Sequence, residues 1–165
     1  MIFVTVGTHE QQFNRLVAFM DKWAEFHDEE VVIQTGFSTY KPKKARWQKL
    51  FSFKEMDELV NGARIVITHG GPSSFIAPLR IGKIPIVIPR QKEYDEHINN
   101  HQVRFCKQVA ERNGNIYVVN QIEELSDLLE NYDARIKDMK ADSNNNNEKF
   151  CQELEKIVCE LFHKD

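Results

Sequence analysis

The sequence contains little cysteine, which argues against a fold held together by disulfides or by a structural metal. Its three cysteines, Cys106, Cys151 and Cys159, are an odd number and include no CxxC pair. This usage favours a reducing, cytoplasmic setting. A chain of 165 residues can bury a hydrophobic core without such cross-links, and its length is typical of one domain.

Long apolar runs and an excess of positive charge are missing as well. No stretch approaches the roughly 18 consecutive apolar residues that a membrane-spanning helix requires. The apolar segment at residues 1–7 has no basic leader and is much shorter than a signal sequence. A formal net charge of -3 argues against general nucleic-acid binding, which depends on basic side chains. Any link to a membrane must therefore come through a partner or a surface patch.

Short β-branched segments alternate with helical patterns along most of the chain. Strands are predicted at residues 2–6, 31–33, 64–68, 84–88 and 116–119, with a weaker strand at residues 50–53. Helices are predicted at residues 13–20, 54–61, 73–81, 99–112 and 122–129. Continuous apolar strands separated by helices predict a doubly wound, Rossmann-like α/β domain whose parallel sheet is covered on both faces.

An apolar stripe near the end of the sequence predicts one further helix. We divide the chain into the α/β domain at residues 1–142 and an amphipathic helix at residues 143–165. The apolar residues of that helix that recur at helical spacing are Phe150, Leu154, Ile157, Val158, Leu161 and Phe162. Packing on the chain's own domain and docking on a partner explain the stripe equally well.

Ligands of parallel α/β sheets bind beyond the carboxyl ends of the strands, which selects the loops at residues 7–12, 68–74 and 89–102. In the second loop a strand runs into Gly70 and Gly71 and then into a helix start. Backbone N–H groups and the helix dipole there favour a phosphate, and two serines, Ser73 and Ser74, add hydroxyl donors. A serine-capped turn explains the same pattern, so both interpretations stay open.

The third loop carries many side chains that suit a hydroxyl-rich ligand such as a sugar. They are Arg90, Glu96, His97, His101 and Gln102. A polar helix N-terminus explains them as well. Because HExxH is absent and no third ligand follows His97 and His101, we expect no bound metal.

The first loop offers two candidate catalytic residues. His9 can titrate near neutrality, and Glu10 can accept a proton. Thr8 fits the N-cap of a helix, with Gln11 three residues later as in a capping box.

A basic run lies between the second and third predicted strands. It consists of Lys41, Lys43, Lys44, Arg46 and Lys49. Such a run is often only solvated, but it can also approach anionic lipid or a lipid pyrophosphate.

Four segments together resemble the C-terminal half of GT-B glycosyltransferases, the glycosyltransferase family 28 C-terminal domain. They are VTVGT at residues 4–8, THGGPSS at 68–74, GKIPIVIP at 82–89 and NHQ at 100–102. The sequence is most similar to catalytic subunits of two-component bacterial capsule and exopolysaccharide glycosyltransferases, and of the dolichol-pathway UDP-GlcNAc transferase. The resemblance covers residues 1–119 and implies a single GT-B C-terminal-type domain.

This resemblance implies an inverting, metal-independent hexosyltransferase that uses a UDP-sugar, with galactose as the first candidate, and needs no cofactor. The acceptor would be an undecaprenyl-diphosphate-linked sugar in capsule or exopolysaccharide synthesis. A membrane-anchored subunit would bind the acceptor and hold this chain at the inner face of the plasma membrane as a heterodimer. The alternative is a non-catalytic accessory subunit that binds a nucleotide-sugar and activates a partner transferase.

The resemblance also assigns positions to the substrate. The backbone at Phe53, with Met56 nearby, would hold uracil, and the 70–74 turn would hold the diphosphate. The full set of predicted substrate-contacting residues is Thr8, Phe53, Met56, His69, Gly70, Gly71, Ser73, Ser74, Arg90, Glu96, His97, His101 and Gln102. Ala77 stands where peptidoglycan lipid II synthase and the dolichol-pathway subunit have a ribose-binding glutamate, which leaves ribose recognition open.

Overall fold

The β-branched runs form the strands of one parallel sheet. A computed structural model describes residues 1–141, 152–157 and 159. The strands are β1 Ile2–Thr5, β2 Val31–Gln34, β3 Arg46–Gln48, β4 Ile65–His69, β5 Ile86–Ile88 and β6 Tyr117–Val118. Their order across the sheet is β3-β2-β1-β4-β5-β6, and every adjacent pair is parallel. The predicted doubly wound α/β fold is confirmed.

Helices cover both faces of this sheet. They are α1 Asn14–Glu25, α2 Phe53–Gly62, α3 Pro72–Arg80, α4 His101–Asn113, α5 Leu125–Glu130 and α6 Tyr132–Ile136. Successive side chains of β1 point to opposite faces, so that Ile2 packs in the core formed with α1 and α5 while Phe3 packs against α2. Val87 of β5 packs with residues of α3 and α4. Burial on both faces explains why β1, β2, β4 and β5 are largely apolar without alternation.

The third strand was predicted at the wrong place. Residues 50–53 do not form a strand, because Ser52 caps the start of α2: its side chain accepts from the Glu55 N–H, and Glu55 accepts from the Ser52 N–H. The third strand is β3, whose three side chains are all exposed. It is an edge strand that pairs with β2 through its backbone. An edge strand of this kind carries no apolar pattern for a sequence to reveal.

Thr8 does not cap a helix. It lies exposed in the loop after β1, and α1 begins only at Asn14, with Phe13 at the N-cap position. The side chain of Phe13 is fully buried, and the Asn14 side chain accepts from the backbone N–H groups of Thr39 and Tyr40. Burial and this long-range contact therefore place the helix start five residues beyond the position that local capping chemistry predicts.

The predicted C-terminal helix falls largely outside the described residues. Residues 152–157 are helical, and their two apolar stripe members, Leu154 and Ile157, are exposed. The other stripe positions, Phe150, Val158, Leu161 and Phe162, are not among the residues that the structure describes. Within the described part of the chain, no helix is long and apolar enough to cross a membrane.

The carboxylate of Asp21 in α1 organises the loop between β2 and β3. It accepts hydrogen bonds from the backbone N–H groups of Lys43, Lys44 and Ala45 and from the Tyr40 hydroxyl, at 2.8 to 3.0 Å. Burial alone would raise the pKa of Asp21, but these donors together outweigh burial and lower the pKa below its ordinary value of 3.8. The ionised carboxylate therefore stabilises the fold.

We predict that Asp21→Asn lowers the free energy of unfolding at pH 7 by about 2 kcal/mol, because the charged acceptor of several buried donors is lost. Urea denaturation of wild type, Asp21→Asn and the exposed control Asp28→Asn measures this. Because the folded-state pKa of Asp21 is lowered, its contribution is complete above the unfolded-state pKa and disappears as the pH falls through the folded-state pKa. A difference between wild type and Asp21→Asn that grows on acidification would contradict this assignment.

Candidate functional site

The two central strands create the ligand-binding edge of this sheet. From β1 the chain continues to β2 on one side, whereas β4 lies on the other side, so the strand order reverses between β1 and β4. Thr5 pairs with Thr68, so the carboxyl ends of both strands meet at one level. Doubly wound sheets bind ligands at such a switch point. The loop after β1 turns at Gly7, whose φ of 76° favours glycine, and the loop after β4 leads into α3.

A cleft of about 570 Å³ opens at this switch point, and we call it the β1–β4 cleft. Apolar residues of the start of α2 and of the segment before it line this cleft, as do residues of the first turn of α3. The residues that line it are Thr5, Gly7, Thr8, His9, Gln34, Leu50, Phe51, Phe53, Met56, Val60, His69, Ser73, Ser74 and Ala77. Six predicted substrate-contacting residues and His9 are therefore brought together. Phe53 is 90% exposed, so its ring is available to a ligand.

His69 forms the floor of the cleft between two glycines. A Cβ atom on Gly7 would lie 2.4 Å from His69 Cε1, and one on Gly71 would lie 2.4 Å from His69 Nε2. Neither position therefore has room for a side chain beside this imidazole. Burial, followed by the charge of Arg90, lowers the pKa of His69 to about 4. The ring is neutral near pH 7, and its Nδ1 lies 3.3 Å from Ser74 Oγ.

The sequence did not single out the polar floor contributed by β2. Gln34 ends this strand and is buried, with its Nε2 donating to Thr5 Oγ1 at 3.1 Å. Its Oε1 accepts from the Phe51 N–H at 3.2 Å, which links the strand to the apolar wall of the cleft. The signal was available, because Gln34 is the first polar residue after the apolar run of β2 and the carboxyl-end rule applies to every strand.

A second cleft of about 400 Å³ lies on the other side of the glycine turn, and we call it the α4 cleft. Its lining residues are Gly70, Gly71, Pro72, His101, Gln102, Arg104, Phe105 and Gln108. A Cβ atom on Gly70 would lie 2.9 Å from both Cys106 Sγ and Gln102 Oε1. The glycine turn thus separates the two clefts and packs closely against α4.

Three histidines form a row at the mouth of the site. The ring centroids of His9 and His97 are 5.1 Å apart, and those of His97 and His101 are 4.5 Å apart. Burial, followed by the charges of His101, His9 and Arg90, lowers the pKa of His97. Among the described residues, no group of three or more His, Cys, Asp or Glu side chains is placed to hold a metal ion. Glu10 is exposed in the loop beside His9.

Two residues predicted to contact the substrate, Arg90 and Glu96, are buried and have internal partners. Arg90 has no exposed surface, and its guanidinium donates to the carbonyl oxygens of Val6, Gln11, Gln12 and Glu96. Burial lowers the pKa of Arg90 to about 10, so it stays charged near neutrality. Glu96 is also fully buried.

The Glu96 carboxylate pairs with Arg15 of α1 through two hydrogen bonds of 2.9 and 3.0 Å. It also accepts from the Gln91 N–H at 3.0 Å. Arg90 and Glu96 therefore hold together the loops that surround the clefts, and neither lines the β1–β4 cleft or the α4 cleft. The polar residues between positions 90 and 96 suggested ligand contacts, because a sequence does not distinguish a polar side chain that faces a ligand from a buried one with internal hydrogen-bond partners.

The fold and this cleft define an open parallel α/β domain with a cleft at its switch point. The family model for the glycosyltransferase family 28 C-terminal domain matches residues 1–158, and the chain belongs to this family. The glycosyltransferase SnogD from Streptomyces nogalater is a similar solved structure, with 20% sequence identity and a TM-score of 0.46. The match covers 72% of this chain and 31% of the SnogD chain. None of the curated proteins searched matches the chain.

We predict that Arg90→Lys lowers the free energy of unfolding by about 3 kcal/mol. A lysine ammonium cannot replace the planar guanidinium that donates hydrogen bonds to four backbone carbonyl oxygens. Urea denaturation measures this, with the exposed Arg80→Lys as the matched control. If Arg90→Lys unfolds like the wild type and only loses ligand affinity, Arg90 belongs to the binding surface and the internal role is wrong.

Proposed function

We propose that this chain is the donor-binding, catalytic subunit of a two-component glycosyltransferase. The observation that carries the proposal is the β1–β4 cleft, which pairs an apolar wall with a helix N-terminus across a switch point. That pairing suits a nucleoside diphosphate, because a base packs on apolar side chains while phosphates accept from backbone N–H groups. Membership of the glycosyltransferase family 28 C-terminal domain family supports a sugar-nucleotide as the ligand.

In this proposal the uracil of a UDP-sugar lies against the start of α2. Phe53 and Met56 line the cleft there. The diphosphate lies at the first turn of α3, where Gly71 is the N-cap residue and has no side chain to compete for the helix N–H groups. Ser73 and Ser74 line the cleft beside that turn. Because His69 is neutral, the favourable potential for phosphate comes from the helix dipole and hydroxyl donors rather than from an imidazolium.

The donor sugar would cross the glycine turn towards α4. Gln102 Oε1 accepts from the Arg90 N–H at 3.1 Å, which leaves its Nε2 as the donor that can face a sugar hydroxyl. His101 is exposed beside it, with Nδ1 2.8 Å from Asn99 Oδ1. Galactose is our first candidate for the hexose.

For the chemical step we propose inversion without a metal ion. A base removes the proton of the acceptor hydroxyl, the oxygen attacks the anomeric carbon, and the bond to the UDP oxygen breaks with its electron pair leaving on UDP. His9 or Glu10 of this chain, or a residue of the partner, serves as the base. The α3 N-terminus stabilises the negative charge that develops on UDP.

The acceptor would be a sugar on undecaprenyl diphosphate, presented by a membrane-anchored subunit during capsule or exopolysaccharide synthesis. A second candidate function is that of a non-catalytic subunit that binds a nucleotide-sugar and activates a partner. Ala77 favours this candidate, since it lines the β1–β4 cleft where a carboxylate would otherwise reach ribose. Transfer by the complex separates the two, because loss of activity in a His101→Ala, Gln102→Ala double variant would indicate that chemistry occurs on this chain.

We predict that Gly71→Val weakens UDP binding at least about tenfold, equivalent to roughly 1.4 kcal/mol. The new Cβ atom would lie 2.4 Å from His69 Nε2, so the imidazole must move and the first turn of α3 with it. Titration calorimetry with UDP measures the affinity, and circular dichroism checks the fold. Gly62→Ala is the matched control, since its Cβ would meet only Met1 Cε at 3.8 Å. Unchanged affinity in a folded Gly71→Val protein would remove UDP from this site.

We also predict that the purified chain has little transferase activity alone and gains it with the membrane-anchored partner. Holding donor and acceptor together can contribute about 7–11 kcal/mol to lowering the barrier, and one domain supplies only the donor side. Co-expression, co-purification and assays of chain and pair measure this. Transfer by the pair should survive EDTA. Full turnover by the isolated chain would refute the partner requirement, and a loss restored only by added manganese or magnesium would refute metal independence.

A further inference from the structure

One exposed segment differs from the rest of the chain in charge. The chain has 22 Lys and Arg against 25 Asp and Glu, yet residues 37–54 contain six of the basic residues and no acidic one. The remainder therefore has 16 basic against 25 acidic residues. All six basic side chains of this segment are exposed. The positive charge of this acidic protein is therefore concentrated on one part of its surface, where it can attract a negatively charged partner.

Large apolar side chains are exposed within the same segment. Phe37 and Trp47 are each 40% exposed. The Lys49 ammonium lies 4.3 Å from the centroid of the Phe37 ring, and Trp47 Nε1 donates to the Pro42 carbonyl at 3.1 Å. These contacts join the loop after β2 to β3 in one surface, which we call the basic–aromatic surface: Phe37, Lys41, Lys43, Trp47 and Lys49.

The cations of this surface are held outward and are not neutralised. Asp21 binds the backbone N–H groups of Lys43 and Lys44, so it fixes the loop without engaging their ammonium groups. Lys44 and Arg46 have acidic neighbours, Glu25 at 3.9 Å and Glu30 at 3.5 Å. In the described part of the chain, Lys41, Lys43 and Lys49 form no ion pair.

From this arrangement we propose that the basic–aromatic surface docks the chain directly on an anionic phospholipid bilayer. Lysines attract the negative surface, and aromatic rings beside them enter the headgroup region. The surface borders the β1–β4 cleft, because Leu50 follows Lys49 and lines that cleft. Protection of the β3 edge against strand pairing explains the lysines alone, but it does not explain exposed aromatic rings among them. Membrane docking explains both the lysines and the exposed rings.

The test uses the full chain without partner or nucleotide. Sedimentation is compared for vesicles of pure phosphatidylcholine and for vesicles in which about one third is phosphatidylglycerol. We expect binding only to the anionic vesicles. Changing three lysines, Lys41→Gln, Lys43→Gln and Lys49→Gln, should lower the partition coefficient by roughly 100-fold. The matched control changes three exposed lysines elsewhere, Lys22→Gln, Lys137→Gln and Lys140→Gln, and should bind almost as the wild type does.

Tryptophan fluorescence gives a second readout of the orientation. The chain has two tryptophans, and the other one, Trp23, is 7% exposed and stacks on His27. Anionic vesicles should shift the emission to the blue in wild type, and Trp47→Phe should abolish the shift while retaining most of the binding.

Three outcomes would overturn the proposal: no binding to anionic vesicles, equal binding to neutral ones, or a triple-lysine variant that binds like the wild type. If vesicles are not bound but the triple-lysine variant loses the protein partner, the surface is a protein interface instead. UDP calorimetry on that variant keeps the tests separate, because lost vesicle binding with intact UDP affinity concerns only this surface.

Discussion

The buried guanidinium of Arg90 is the interaction on which the ligand edge of this domain depends. It donates to carbonyls of the loop after β1 and of the loop after β5, so one side chain fixes two loops that are about 80 residues apart in sequence. Without Arg90, these loop carbonyls would need water molecules as hydrogen-bond donors. Donors from within the protein let the loops keep their shape when no ligand is bound. The Arg15–Glu96 pair adds a second connection between α1 and the same loop.

Close packing sets the geometry within that frame. The imidazole of His69 occupies the space that side chains at Gly7 and Gly71 would need, so three positions just at or beyond the ends of two strands depend on each other. The two glycines therefore have different reasons to be glycine. Gly7 also needs its positive φ, whereas Gly71 has a φ of −84° and needs only the space. Burial keeps His69 neutral near pH 7, so the ring packs between the two glycines without carrying a charge.

The sequence predicted the features that arise from strong local patterns. Buried strands such as β1 and β4 and the glycine turn between β4 and α3 follow from β-branched runs and from helix-start chemistry. The sequence misplaced β3, because the exposed side chains of this strand show no alternating hydrophobic pattern. It also predicted Thr8 as the N-cap of α1, whereas the buried Phe13 occupies that position. The sequence did not reveal that Arg90 and Glu96 are buried, because their partners Val6 and Arg15 are distant in the chain and no local pattern contains them.

The β1–β4 cleft and the basic–aromatic surface lie next to each other on the domain. The β1–β4 cleft opens at the carboxyl edge of the sheet, and the basic–aromatic surface runs from that edge along β3. A ligand anchored in a bilayer can be reached only by an opening that lies near the headgroups. A free nucleotide-sugar has no such restriction, because it diffuses into the cleft from solvent. If the basic–aromatic surface docks on a bilayer as we propose, it orients the cleft towards a lipid-anchored acceptor, whereas the packing around His69 and Arg90 shapes the cleft itself.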